Sequence, residues 1–148
     1  MKPLVRVGVA LGAALAVAAV GYAVEPIGAA PADALGPGVV TLQVHIHHSA
    51  FDLGHPQVRV GTLVEFVVHN DDPIDHELVV GDDAVHLRHE HGTEARHPPV
   101  PGEVSIAPGR TAMTFYRFTT VGPIVYACHL PGHLAYGMQG TIEVVPAV

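Results

Sequence analysis

The chain has 148 residues, a formal charge of −7 at pH 7 and only seven Lys and Arg, so it is sized for one domain and offers no basic patch to a nucleic-acid backbone. It carries 16 Gly, 13 Pro, 12 His and a single Cys, which favours short strands and turns over long helices and rules out an internal disulfide.

Residues 1–24 begin with Lys2 and Arg6 and continue as an apolar run, Val7 to Val24, broken only by Gly and Tyr22. Positive charge ahead of such a run is the pattern of an export signal, so an N-terminal hydrophobic helix is expected, as a signal peptide or as an uncleaved anchor attaching the chain to a membrane through residues 4–24. Ala32 and Ala34 form an A-x-A pattern suited to cleavage before Leu35. Residues 25–38, rich in Ala, Pro and Gly, are expected to be a linker. The implied location is extracytoplasmic: periplasmic, secreted, or held on the outer face of the cytoplasmic membrane. Residues 39–148 then form the folded domain, with 12 acidic residues against five Arg and no Lys.

From Val39 the pattern changes to period two. Val40, Leu42, Val44 and Ile46 alternate with Thr41, Gln43, His45 and His47, as a half-buried strand requires, which puts His45 and His47 on the solvent face. QVRV (57–60), LVEFVVHN (63–70) and HELVV (76–80) read as further strands, the last entered through the turn signal NDDP. Residues 81–102 show no alternation and are expected to form a surface excursion whose start makes a short helix capped by Asp82 or Asp83. EVSI (103–106), TAMTFYRF (111–118), IVYAC (124–128) and GTIEVV (140–145) complete the set. Seven or eight short strands with regular turns predict an all-β fold, a Greek-key β-sandwich.

The lone thiol lies in ACHLPGHLAYGMQG (127–140). A loop joining two adjacent strands turns back on itself, so Cys128, His133 and Met138 can converge on one point. Thiolate, imidazole and thioether together suit copper, whereas structural zinc takes four strong ligands and no thioether. A blue-copper centre needs a second histidine. His76, where the NDDPID turn enters the HELVV strand, is favoured over His69 and His86.

In these features the chain resembles the cupredoxins: Cys-x4-His-x4-Met, an upstream His in a D-H-E context, and a following G-T-I-E-V strand, over about Val39 to Val145. The resemblance implies a cupredoxin fold and one type 1 copper per chain, held by His76, Cys128, His133 and Met138. It also implies single-electron exchange with an extracytoplasmic redox protein that docks near His133 on the apolar collar of Leu130, Pro131, Leu134 and Tyr136. The chain is expected to act as a monomer and a carrier, not an enzyme. Asp75 or Glu77 is a candidate to orient His76, with Glu77 the more readily solvated of the two. The same motif resembles the last domain of multicopper oxidases, where histidines flank the cysteine on both sides; here His129 is present but Ala127 replaces the other. His129 itself, next to Cys128 on an extended chain, is expected to point away from the metal, as a surface residue or an electron exit. A copper-delivery role, using His45, His47, His48, His86, His89, His91 and His97 as a weak exchangeable site, is the alternative function.

Overall fold

The computed structural model describes residues 33–92, 96 and 98–147, so the expected leader, residues 1–24, lies outside them. Nine strands and one helix are found among the described residues: β1 (Val39–His47), β2 (Ala50–Phe51), β3 (Gln57–Arg59), β4 (Leu63–Asn70), β5 (His76–Gly81), α1 (Asp83–Glu90), β6 (Glu103–Ile106), β7 (Thr111–Arg117), β8 (Gly122–Ala127) and β9 (Gln139–Val145). They form a four-stranded sheet, β2-β1-β4-β7, and a five-stranded sheet, β3-β9-β8-β5-β6. The chain passes repeatedly between the two. It therefore makes parallel pairs that no hairpin could produce: β1 with β4, where Val44 faces Val68, and β3 with β9.

The alternation read in the sequence places the core. Val44, Ile46, Val64, Phe66 and Val68 from one sheet meet Leu78, Val80, Val104, Ile106, Ile142 and Val144 from the other, all essentially inaccessible to water. On β1, His45 and His47 face outward as expected. Leu35, at the end of the expected linker, forms a parallel bridge to Val58 and so extends the sheet edge. Phe66 and Phe118 are the largest fully buried side chains among the described residues. Phe66→Ala is expected to cost about 3–5 kcal/mol through lost transfer energy and the cavity left behind. Urea unfolding of the two proteins checks it: the midpoint should fall with the slope unchanged.

The excursion after β5 is more ordered than its lack of alternation suggested. Asp82 caps α1 by accepting the Val85 N–H at 3.0 Å, in agreement with the expected start, and the helix continues for eight residues. No helix among the described residues is long and apolar enough to cross a membrane.

Candidate metal centre

Three loops meet at one end of the sandwich. The first, residues 71–75 between β4 and β5, is clipped by Asn70, a buried residue whose side-chain amide donates to the carbonyls of Ile74 (2.7 Å) and Ile106 (3.1 Å) and whose oxygen accepts the Asp72 N–H (3.0 Å). This sets His76 at the first position of β5 and brings the Asp72 carboxylate against its ring. The second is the turn between β1 and β2, where His48 and Ser49 both take positive φ, 52° and 53°. Their backbone N–H groups also donate to Asp72, at 2.8 and 2.7 Å.

The third loop joins β8 to β9. Its ends are tied by the Cys128 N–H donating to the Met138 carbonyl at 3.0 Å, and its middle is folded inward by the Met138 N–H donating to His133 at 3.1 Å. Gly132 and Gly137, both at φ 88°, take the left-handed turns that allow so tight a return. The result is that His76, Cys128 and His133 present ligand atoms all within 4.8 Å of one another. Met138 is buried in the same core cluster as Cys128. The rivals are elsewhere: His69 bonds Thr111 and Gln43 on the outer face of the other sheet, and His86 lies on α1.

The donor chemistry fits a metal. A carboxylate oxygen only accepts, so the His76 Nε2 facing Asp72 Oδ2 at 3.0 Å carries the proton, and Nδ1 is left as a bare lone pair. That Nδ1 is buried and has no hydrogen-bond partner, which is costly in a protein unless a ligand takes it. Burial holds His76 below the ordinary imidazole pKa, outweighing the opposing bond to Asp72, so the lone pair is available at neutral pH. Burial likewise pushes the Cys128 thiol up to about 11, although backbone N–H groups of Glu77 and Leu130 point at the sulfur and favour thiolate. The neutral thiol and His133 Nδ1 are 3.2 Å apart. A bound cation would displace the sulfur proton.

Two neighbours differ from expectation. Asp72 orients His76; Asp75 instead pairs with Arg96. Glu77, expected to be solvated, is buried and accepts the His129 N–H at 2.7 Å, strapping β5 to the end of β8. Asp72 sits inside a stretch whose turn-forming residues fully account for a local reading, so its second role carried no sequence signal. His129 points away from the sulfur, as its position on an extended chain requires, but it is packed under α1 instead of standing on the surface.

The family model for copper binding proteins of the plastocyanin/azurin family matches residues 39–145. The copper-resistant cuproprotein CopI of Rubrivivax gelatinosus is 36% identical over 99 residues, covering 64% of this chain and 59% of that protein. CopI of Vibrio cholerae is 33% identical over 89 residues, 58% of this chain and 53% of that one. The chain thus spans little more than half the length of these curated relatives. Among solved structures, reduced auracyanin from Roseiflexus castenholzii superposes with a TM-score of 0.60 at 20% identity, covering 74% of this chain and all of that one.

Proposed function

Because the chain belongs to the plastocyanin/azurin family of copper-binding proteins, we propose that it is an extracytoplasmic electron carrier with one type 1 copper, held by His76, Cys128, His133 and Met138. The observation that carries this reading is the convergence of two imidazoles and the lone thiol, with the His76 Nδ1 lone pair buried and unpartnered. Copper, when bound, supplies a one-electron couple whose potential depends on the axial ligand and on hydrogen bonds to the cysteine sulfur.

The protein's part is to keep its side chains in place while the charge changes. Cys128, at the end of β8, supplies the strong sulfur ligand, with the Glu77 and Leu130 N–H groups damping its charge. His76 is held by Asp72. Met138, buried in the same core cluster as Cys128, would add its thioether sulfur to the set as the weakest donor. His133 is the most exposed of the set, and the loop that carries it also carries Leu130, Pro131, Leu134 and the largely exposed Tyr136, a surface suited to brief docking of a redox protein with a monomeric carrier. The positively charged apolar leader supports delivery outside the cytoplasm. Ala127, buried where a multicopper oxidase has histidine, supports a carrier over an oxidase.

Copper reconstitution tests this. One equivalent of Cu(II) should give an intense visible band and a narrow-hyperfine electron-spin signal, and voltammetry should show one reversible electron. A weak band with no reversible wave would reject electron transfer. The relatives' description as copper-resistant cuproproteins favours a second reading, in which the same site serves copper tolerance; it predicts copper binding with slow electron exchange toward small redox proteins.

A further inference from the structure

Strands β5 and β8 pair as far as Val79 opposite Ala127, and there the ladder stops. Carried further, the same antiparallel register would set Leu78 opposite Cys128 and Glu77 opposite His129, so the strands part at the cysteine. A side chain spans the gap. Glu77 Oε1 accepts the His129 N–H at 2.7 Å, from the residue that the register would place opposite it. Glu77 is only 2% exposed, and a buried carboxylate is costly to a fold, so packing alone would favour an apolar residue such as Val79, its neighbour on the same side of β5.

The consequence falls on the sulfur. The three amides that begin at Cys128 each have one fixed direction: the Cys128 N–H to the Met138 carbonyl at 3.0 Å, the His129 N–H to Glu77, and the Leu130 N–H to the Cys128 sulfur. The His129 amide belongs to the peptide that leaves the Cys128 Cα, so holding it fixes where the Cα–Cβ bond aims the sulfur and how the Leu130 N–H returns to it. The backbone N–H of Glu77 also points at that sulfur. One residue therefore acts on the cysteine from its main chain and from its side chain. After burial, which is the larger influence, the charge of Glu77 pushes the Cys128 thiol up, against the pull of the two N–H groups.

We propose that Glu77 is a positioning residue for the copper centre and the buried charge that keeps its reduction potential low, an inference that rests on the type 1 copper reading of the site. The carboxylate holds the Cys128–His129 peptide so that the sulfur has one seat in both charge states. Its negative charge favours Cu(II) over Cu(I), because the ion with more positive charge gains more from it. Asp72 acts on the other side of the centre, through the ring of His76.

The test is voltammetry and electron-spin spectroscopy of the copper-loaded full chain. Glu77→Gln keeps an oxygen for the His129 N–H and removes the charge, so its spectrum should stay native while the one-electron equilibrium moves about tenfold toward Cu(I), a rise of about 59 mV. Because the charge is buried, the shift should persist at about 1 M salt, where exposed charges are screened within about 3 Å. Glu143→Gln, which removes an exposed charge from β9, should leave the potential as it is. Glu77→Ala removes the acceptor as well; copper affinity should fall about tenfold and the electron-spin signal should broaden as the sulfur loses its fixed seat. If that variant does not fold, Glu77→Gln against Glu143→Gln carries the comparison. The proposal is overturned if Glu77→Gln keeps the natural potential or moves it no further than Glu143→Gln does, which would leave Glu77 as a strap between β5 and β8. The natural chain keeps the two failures apart: without a reversible wave it loses the electron-carrier reading and this proposal together, whereas with the wave and an unmoved Glu77→Gln it loses this proposal alone.

Discussion

Cys128→Ala is expected to abolish the intense visible band of the copper-loaded protein and its reversible one-electron wave. Copper affinity should fall by more than about 100-fold, beyond the 10–100-fold typical of losing an outer partner of a metal ligand. The reason is the donor set. Among the described residues, the group that gathers two histidines with the thiol is the sole convergence of this kind, and Cys128 is its one sulfur able to give up a proton to a bound metal. Without it, His76 and His133 remain a pair of neutral nitrogens with a thioether, a site that holds Cu(II) weakly and lacks the covalent thiolate link. The fold should survive. The Cys128 side chain is fully buried but small, and alanine removes one sulfur atom from the core cluster at a cost of about 1–2 kcal/mol. Absorption, electron-spin spectra and thermal unfolding on the same sample separate the two effects: colour lost with the unfolding transition kept. Persistence of the intense band would remove the thiolate from the centre.

How much of this was visible in the sequence depended on how local each feature is. The strand pattern was legible because period-two alternation directly reports a half-buried sheet, and β1 and β4 follow it residue by residue. The Cys128, His133 and Met138 spacing was legible because one short loop brings those residues together. His76 came from a turn signal plus an argument about which end of the sandwich the turn must reach. What failed was the reading of the outer face of the five-stranded sheet, whereas His45 and His47 on the other sheet face solvent as expected. Glu77 and His129 occupy outward positions and read as solvated, yet Glu77 is buried and His129, packed against His86 of α1, is half-buried. The helix was hard to see for a physical reason: it has almost no apolar stripe, so only its Asp82 cap left a signal. Asp72 was missed because a carboxylate within NDDP is already explained as turn chemistry, and its bond to His76 appears only when the β1–β2 turn and the β4–β5 loop are brought together.

The second large effect is expected at Asp72. Burial pushes its carboxyl up, but the Ser49 and His48 N–H groups and the His76 ring together hold it below the ordinary carboxylate value, so it is a charged acceptor at neutral pH. It serves two jobs at once. It holds His48 and Ser49 at positive φ, a conformation that costs non-glycine residues about 1–2 kcal/mol each, and it holds the His76 proton on Nε2 so that Nδ1 stays free. Asp72→Ala leaves three donors without this acceptor. At about 1–3 kcal/mol for a buried donor and less for the two that water can reach, the metal-free protein should lose about 2–4 kcal/mol. With His76 free to turn or to change tautomer, copper affinity should fall about 10–100-fold. Asp72→Asn keeps one acceptor oxygen, able to serve Ser49 and His76, but turns its amide N–H2 toward the His48 N–H, so it should recover only part of the stability while still raising the reduction potential, because a neutral partner withdraws less proton density from His76 and makes it a weaker donor to Cu(II). The split between the two variants is the informative measurement. If Asn and Ala variants bind copper equally and share the natural chain's potential, Asp72 only braces the turn between β1 and β2, and its contact with His76 has no bearing on the metal.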